Sequence, residues 1–171
     1  DASLRGSTVT LATTLEAAGN GAQQLEVSGD AVFGGSVGAA NRLSALSVTG
    51  DASIQSQVRT SGNQEVAGSV LLTGDVALDS GNDLLIGGTV DSSGAARDLN
   101  AQVARDASIG GMIGGGSVLD TLAMTAGRNI SVGGTRSNAS KVFEYNTDPN
   151  LTNGAGGGFL RITGTQLTSN S

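Results

Sequence analysis

The chain has no cysteine, histidine or tryptophan, a single proline, and only 2% aromatic residues. Without thiolates and imidazoles it forms no disulfide, and neither group is available as a metal ligand, nucleophile or base. Because aromatic rings supply much of the buried area in most cores, their scarcity excludes an ordinary globular interior. The interior must instead be narrow and filled by Val, Leu, Ile and Ala.

The charge and hydropathy patterns exclude several further classes. The net charge is −6 with nine basic residues, and the arginines are scattered singly, which argues against a nucleic-acid partner. No window of 18 apolar residues is present, so we expect no membrane insertion. The hydrophobic content of 37% is too high for a disordered chain of this charge. The sequence starts at Asp1 without a signal-peptide pattern, so we expect a processed chain or a segment of a larger protein.

One nine-residue pattern recurs along the chain. Leu25–Phe33 reads LEVSGDAVF, and Leu46–Ile54 reads LSVTGDASI. The pattern places apolar residues at alternate positions on either side of Gly-Asp. Looser copies are centred on Gly74-Asp75, Arg105-Asp106 and Arg128-Asn129. The Asp and Asn positions lie 21, 24, 31 and 23 residues apart, which indicates a repeat.

A second pattern, an apolar residue followed by Gly-Gly, recurs with a similar period. It appears at Phe33-Gly34-Gly35, Ile86-Gly87-Gly88, Ile109-Gly110-Gly111 and Val132-Gly133-Gly134. No Gly-Lys-Ser or Gly-Lys-Thr follows any copy, which argues against a phosphate-binding loop. We interpret these glycines as corners that need backbone conformations other residues reach only at a cost.

The repeats predict an all-β fold. Short runs alternate apolar and polar residues and are separated by turn residues, as expected for strands with one buried face. The ladder of leucine-rich repeats and the 3.6-residue period of helical repeats are both missing. A parallel β-helix, with turns of roughly 21–24 residues and two or three strands per turn, fits the spacing and the small interior side chains.

Two segments leave an alternative open. The 31-residue interval predicts an extra loop near Asp79 to Asn82, although a register that starts at Asp83 is also consistent with the spacing. The segment Ala95 to Asp106, AARDLNAQVARD, contains helix formers and is the best helical window. We favour a strand there, because Asp106 to Ile109 is in register with the other copies.

The repeat pattern of the sequence ends after Ser140. Residues 1–140 are predicted to be β-solenoid repeats, and residues 141–171 an irregular loop or terminal section packed on the same solenoid. This section contains the only Lys and most of the aromatic residues, and we predict that it forms a contact surface. The residues proposed for that surface are Lys141, Phe143, Tyr145 and Phe159.

The repeats resemble those of large bacterial exoproteins of the filamentous-haemagglutinin and autotransporter-adhesin type. The strings that carry the resemblance are QVRTSGNQEVAGSVLLTGDVALDSGNDLLIGGTVDSSG and ASIGGMIGGGSVLDTLAMTAG, and it extends over most of residues 8–135. It implies a right-handed parallel β-helix that is secreted and displayed on the cell surface as a rod. This chain would be a fragment of such a rod.

The sequence signals for a binding or catalytic site are weaker than those for the fold. A column of aspartates at Asp30, Asp51, Asp75 and Asp106 could bind calcium, although turn chemistry accounts for Gly-Asp as well. No cofactor is expected. The acidic stretch from Asp75 to Asp106 could supply paired carboxylates for cleaving sugars, but it has no aromatic platform. Three N-glycosylation sequons begin at Asn129, Asn138 and Asn150, and chance accounts for them in a chain rich in Asn, Ser and Thr.

Together these observations predict a non-enzymatic structural or adhesive segment of a secreted bacterial surface protein. Its expected partners are a host or neighbouring-cell surface, through a glycan or another protein. A self-assembling subunit of an extracellular filament or matrix fibre, built from copies joined end to end, is one alternative. A carbohydrate-active β-helix enzyme is the other.

Overall fold

The computed structural model describes residues 1–135, 143–145 and 159–162, and in these residues it contains strands and no helix. The strands are β1 (Ala2–Leu11), β2 (Leu25–Phe33), β3 (Leu46–Val48), β4 (Ala52–Ile54), β5 (Gln57–Thr60), β6 (Gln64–Val66), β7 (Val70–Leu72), β8 (Val76–Ser80), β9 (Leu84–Ile86), β10 (Val90–Ser92), β11 (Leu99–Val103), β12 (Ala107–Ile113), β13 (Leu122–Ala126), β14 (Asn129–Thr135), β15 (Phe143–Tyr145) and β16 (Phe159–Ile162).

These strands coil into a β-solenoid of about six turns. Eleven strands form one sheet, here called sheet A, and the other five, β5, β8, β11, β13 and β15, form sheet B. A turn passes through sheet A as one long strand or two short ones, then turns a corner into sheet B. Every pairing between turns is parallel. The predicted parallel β-helix is therefore confirmed, while its right-handedness stays a prediction.

The two closest copies of the nine-residue pattern, Leu25–Phe33 and Leu46–Ile54, stack directly on each other. Leu25 pairs with Leu46, and Val27 with Val48. After the central Gly-Asp, Ala31 pairs with Ala52 and Phe33 with Ile54. The nine-residue repeat exists because equivalent residues occupy equivalent places in stacked turns.

Stacking at a fixed register produces columns of buried side chains. Each strand alternates buried and exposed residues, and the buried ones point into the narrow bore. One column reads Val27, Val48, Val66, Ile86, Ile109 and Val132, all buried. Burying each such side chain contributes about 1.5–3 kcal/mol, so the columns of small and branched residues replace the missing aromatic core.

The interior is not wholly apolar. Gln64 occupies a position where the neighbouring turns place Leu46 and Leu84, and it is 3% exposed. Its Nε2 donates to the carbonyl oxygens of Val58 at 3.1 Å and Asp79 at 2.9 Å. The amide therefore holds the corner between sheet B and sheet A, and its burial is offset by hydrogen bonds.

Turn length varies with the corners. The residues that pair from turn to turn are 21, 18, 20, 23 and 23 positions apart along the series Leu25, Leu46, Gln64, Leu84, Ala107 and Ile130. Two turns are thus shorter than the predicted 21–24 residues. The longer turns have longer corners: six residues separate β10 from β11, against three between β7 and β8.

The extra loop predicted near Asp79 to Asn82 is wrong. Val76–Ser80 is strand β8, and it pairs along its length with β11. Asp75 precedes β8, the sheet B strand of one turn, and Asp83 precedes β9, the sheet A strand that begins the next turn. The alternative register, starting at Asp83, is the one that the chain adopts.

The strand prediction for the segment Ala95 to Asp106 is confirmed. Leu99–Val103 forms β11, with Leu99, Ala101 and Val103 buried and the residues between them exposed. Period-two burial is the signature of a strand. Helix propensity is overridden here by the match to the neighbouring turns.

Five glycines form a column in the middle of sheet A, here called the glycine column: Gly29, Gly50, Gly68, Gly88 and Gly111. The N–H of each of the last four donates to the carbonyl oxygen of the glycine one turn earlier, at 2.8–3.0 Å, whereas Gly29 N–H donates to Thr49 Oγ1 at 2.9 Å. A Cβ built on Gly111 would lie 2.6 Å from the carbonyl carbon and oxygen of Gly88. On Gly68 it would lie 2.7 Å from the oxygen of Gly50. The backbones approach too closely there for any side chain.

This geometry corrects the interpretation of the Gly-Gly pattern. In the glycine column Gly29 alone has a positive φ, of 122°, so close approach and not backbone conformation requires the other four. The copy at Gly34-Gly35 is also misaligned with the rest. It lies against Ala12 and Thr13, beyond the end of β2, and not in the middle of sheet A.

We predict that Gly111→Ala destabilises the protein by about 2 to 3 kcal/mol, because the added methyl group must displace the backbone of the turn below. Urea unfolding followed by circular dichroism measures the change. Gly19→Ala is the matched control, since a Cβ there would meet only Ala22, at 3.7 Å. Equal effects for the two variants would show that close approach is not what the glycine column requires.

Candidate functional site

The four aspartates predicted to form one column lie in three different places. Asp30 and Asp51 do stack in adjacent turns, next to the glycine column. Asp75 instead precedes sheet B, one turn below Asp98. Asp106 precedes sheet A, between Asp83 and Asn129. The sequence pattern merged these places because in each one an aspartate is followed by alternating apolar residues.

In each place the carboxylate accepts a hydrogen bond from the backbone of the next turn. Asp30 Oδ1 accepts from the N–H of Asp51 at 3.0 Å. Asp51 Oδ1 accepts from the N–H of Ser69 at 2.7 Å, and Asp75 Oδ1 from that of Asp98 at 3.2 Å. A carboxylate bound to an N–H is a stronger acceptor than a neutral group. These aspartates therefore join adjacent turns.

Arginines neutralise the column that precedes sheet A. Asp106 forms an ion pair with Arg128 of the following turn, and its Oδ1 accepts from Asn129 Nδ2 at 2.8 Å. The hydrogen bond from Arg128 and that from Asn129 lower the pKa of Asp106. Below it, Arg105 lies 3.8 Å from Asp83. The sequence indicates these ion pairs, because the later copies of the nine-residue pattern have Arg-Asp or Arg-Asn where the early copies have Gly-Asp.

A second ion-pair cluster joins three turns on the outer side of sheet B. Arg42 forms a bidentate pair with Asp79, and its Nη1 also donates to the carbonyl oxygen of Thr60 at 3.0 Å. Arg59 Nε donates to Asp79 at 3.3 Å, and its Nη1 to the carbonyl oxygen of Ala39 at 2.8 Å. Nothing in the repeat patterns pointed to this cluster, because its members fall outside both templates.

The charges around Asp79 set its protonation. Partial burial alone would raise the pKa of Asp79, but hydrogen bonds and charges from Arg42 and then Arg59 outweigh it and lower the pKa below its ordinary value. The carboxylate thus stays ionised well into the acidic range. Such a group acts as a fixed acceptor and not as a proton donor near neutral pH.

A shallow polar groove of about 590 Å³ runs beside this cluster. Asp79, Gln102 and Thr125 follow one another in register along its floor. Arg42 and the Ser80-Gly81 corner form its side. Asp79 and Thr60 already accept hydrogen bonds from most of the N–H groups of Arg42. The groove is therefore polar, but most donors of this arginine are paired within the protein.

The acidic side chains of the described residues do not gather into a metal site. No group of three or more Asp or Glu side chains there is placed to hold a metal ion. The acidic stretch proposed for sugar cleavage is spread over different columns. Asp91, for example, accepts from the backbone N–H groups of Gly116 and Ser117 at 2.7 and 3.0 Å, which holds a corner in place.

The four side chains proposed for the contact surface lie outside what the structure describes, so this surface stays a prediction. Lys141 falls outside the described residues. Phe143 and Tyr145 lie in β15, which pairs with β13, and Phe159 lies in β16, which pairs with β14. The backbone stacking thus continues into the section after residue 140. Of the sequons, Asn129 starts β14, while Asn138 and Asn150 are outside the described residues.

No family model, curated protein or solved structure matches the chain. In the described residues no helix is long and apolar enough to cross a membrane.

We predict that stability falls as the pH drops below about 4, and that Asp79→Asn removes part of this fall. A group whose pKa is lowered by folding stabilises the protein above its unfolded pKa, and the contribution is lost as the pH falls through the folded pKa. Asp79→Asn should be less stable than the wild type at pH 7 and lose less on acidification.

Urea unfolding at a series of pH values between 2 and 7 measures this difference. Glu65→Gln is the control, because it removes an exposed carboxylate from the outer face of β6. Parallel curves for the wild type and Asp79→Asn would contradict the role of the arginines around Asp79.

Proposed function

We propose that the chain is a structural or adhesive segment of a secreted bacterial surface protein, acting as a stiff rod for display or attachment. The observation that carries the proposal is the unbroken parallel stacking from β1 to β16. Because the turns bond to one another through sheet A, and from β5 onward through sheet B as well, bending the coil requires breaking backbone hydrogen bonds. About six turns at ~4.8 Å each give a rod on the order of 30 Å long.

The surface chemistry supports a mechanical role over a catalytic one. Asp79 and Asp106 are paired with arginines, and Asp30, Asp51 and Asp75 are bonded to backbone N–H groups of the neighbouring turn. Carboxylates that are committed in this way stabilise the rod and are not free for acid–base chemistry. The resemblance of the repeats to bacterial exoproteins adds the expectation of a cell-surface location.

We predict that antibodies raised against the folded chain label intact cells of the organism that makes it. A rod built for display has to lie outside the cell envelope, where antibodies reach it. Immunogold electron microscopy measures the labelling, with pre-immune serum as the control. Labelling that appears only after the cells are permeabilised would overturn the proposal.

A self-assembling subunit is the second candidate, and β1 is the observation that favours it. This ten-residue strand pairs with β2 along one edge, and within the described residues nothing pairs with its other edge. Leu4, Val9 and Leu11 extend the apolar columns there but are only partly buried. An unpaired edge of this length is a template for another strand.

We predict that filaments, if this second function holds, lengthen with protein concentration and are shortened by Thr10→Pro. Gly34 N–H donates to the carbonyl oxygen of Leu11, so Thr10 presents its own N–H to the opposite, unpaired edge. Proline removes that donor and leaves the pairing with β2. Negative-stain electron microscopy distinguishes the functions: short single particles at all concentrations support the rod and exclude the filament.

A further inference from the structure

The first strand, β1, carries a symmetric pattern of apolar residues beside its unpaired edge. Leu4 and Val9 lie equally far along the chain from the peptide bond between Gly6 and Ser7. Ala2 and Leu11 are also equally far from this centre. All four stand at inward-facing positions, because they stack on the buried residues Leu25, Val27, Ala31 and Phe33 of β2. The strand therefore presents the same inward pattern in either direction.

The symmetry depends on a β-bulge at the centre of the strand. The register with β2 shifts between Arg5 and Thr8, so that Gly6 and Ser7 together stand opposite the single residue Gly29. An uninterrupted strand would place residues of even and odd number on opposite faces. The extra residue of the bulge brings the even-numbered apolar positions before it and the odd-numbered ones after it onto the same face.

The backbone groups at the unpaired edge follow the same symmetry. Ala2 N–H donates to the carbonyl oxygen of Gln24 at 3.0 Å, and the carbonyl oxygen of Leu11 accepts from Gly34 N–H at 2.9 Å. The residues at the inward-facing positions therefore direct their N–H and C=O groups toward the second turn. The residues at the outward-facing positions direct theirs to the unpaired edge, and they are Ser3, Arg5, Thr8 and Thr10.

This arrangement makes the edge complementary to a second copy of itself. When two β1 strands run antiparallel about a twofold axis through the centre, Ser3 of each copy faces Thr10 of the other, and Arg5 faces Thr8. Each of these four pairs exchanges two backbone hydrogen bonds, which gives about eight in total. No other antiparallel register pairs all four edge residues, because the bulge leaves an uneven gap between Arg5 and Thr8. No arginine faces another, so like charges are not opposed.

The same register covers apolar surface at this end of the coil. Leu4 then faces Val9 of the second copy, and Ala2 faces Leu11. In the single chain the three larger side chains are only partly buried, whereas the residues of β2 on which they stack are at most 2% exposed. Ala2 also lines a mostly apolar cavity of about 370 Å³, so Leu11 of the second copy lies at its mouth. Hydrogen bonding and apolar burial thus favour one and the same register.

We propose that the chain forms a closed dimer in which the β1 strands of two copies pair antiparallel across a twofold axis. Such an interface uses the same edge of both copies, so neither copy keeps an open β1 edge. Sheet A then continues from one coil into the other, and the C-terminal ends of the two coils point in opposite directions. The inference goes beyond the proposed rod, which does not require it, and it competes with the end-to-end filament for the same strand.

Single cysteines test the register, because the chain has no cysteine of its own. The variants are Ser3→Cys and Thr10→Cys, both at exposed positions of β1. In the dimer Ser3 of one copy lies opposite Thr10 of the other, whereas the two copies of either residue are more than about 20 Å apart along the strands. A short bismaleimide should therefore cross-link the two variants when they are mixed and refolded together, and leave each variant alone as single chains.

Sedimentation velocity over a range of concentrations measures the assembly. The expected species has twice the chain mass of 16.7 kDa. Thr10→Pro removes one N–H donor per copy from the interface and should weaken dimerisation at least about tenfold. Thr10→Val is the matched control, because it keeps that N–H.

Three results would rule the dimer out: single chains at every concentration, cross-linking of one cysteine variant alone, or a mass that rises without limit as the concentration increases. The last result would support the end-to-end filament in its place. None of the three bears on the proposed rod, whose test is the labelling of intact cells.

Discussion

The backbone hydrogen bonds between successive turns are the interaction on which the rest of the structure depends. They require each turn to lie about 4.8 Å above the last in a fixed register, and the remaining features follow from that spacing. Side chains at equivalent positions stack in columns, as in the Val27 column. Where the backbone of one turn presses against the next, as between Gly88 and Gly111, a side chain has no room.

Sequence was sufficient for the architecture because the fold is periodic. Two copies of nine residues, at Leu25–Phe33 and Leu46–Ile54, stack residue for residue, and short alternating runs become short strands. The assignment of β11 succeeded for the same reason, since register with the neighbouring turns outweighed helix propensity. Because each position of the repeat recurs in several turns, the fold can be predicted even where one copy matches the pattern poorly.

Sequence failed where a turn contains two similar places. Aspartates precede strands in sheet A and sheet B alike, so Asp75 and Asp106 were grouped with Asp30 although they lie elsewhere. The same ambiguity suggested a loop where β8 is found. The sequence patterns do not predict the Arg42–Asp79 cluster or the burial of Gln64. Both depend on contacts across corners, and no spacing along the chain encodes those contacts.

The glycine column has an evolutionary consequence. Each of its glycines lies against a glycine one turn below, so the close approach that this column requires involves only adjacent turns. A stretch of DNA that encodes one turn can therefore be duplicated or deleted in frame without rewriting the remainder. Unequal recombination between such similar copies would change the length of the molecule by whole turns, leaving its cross-section unaltered.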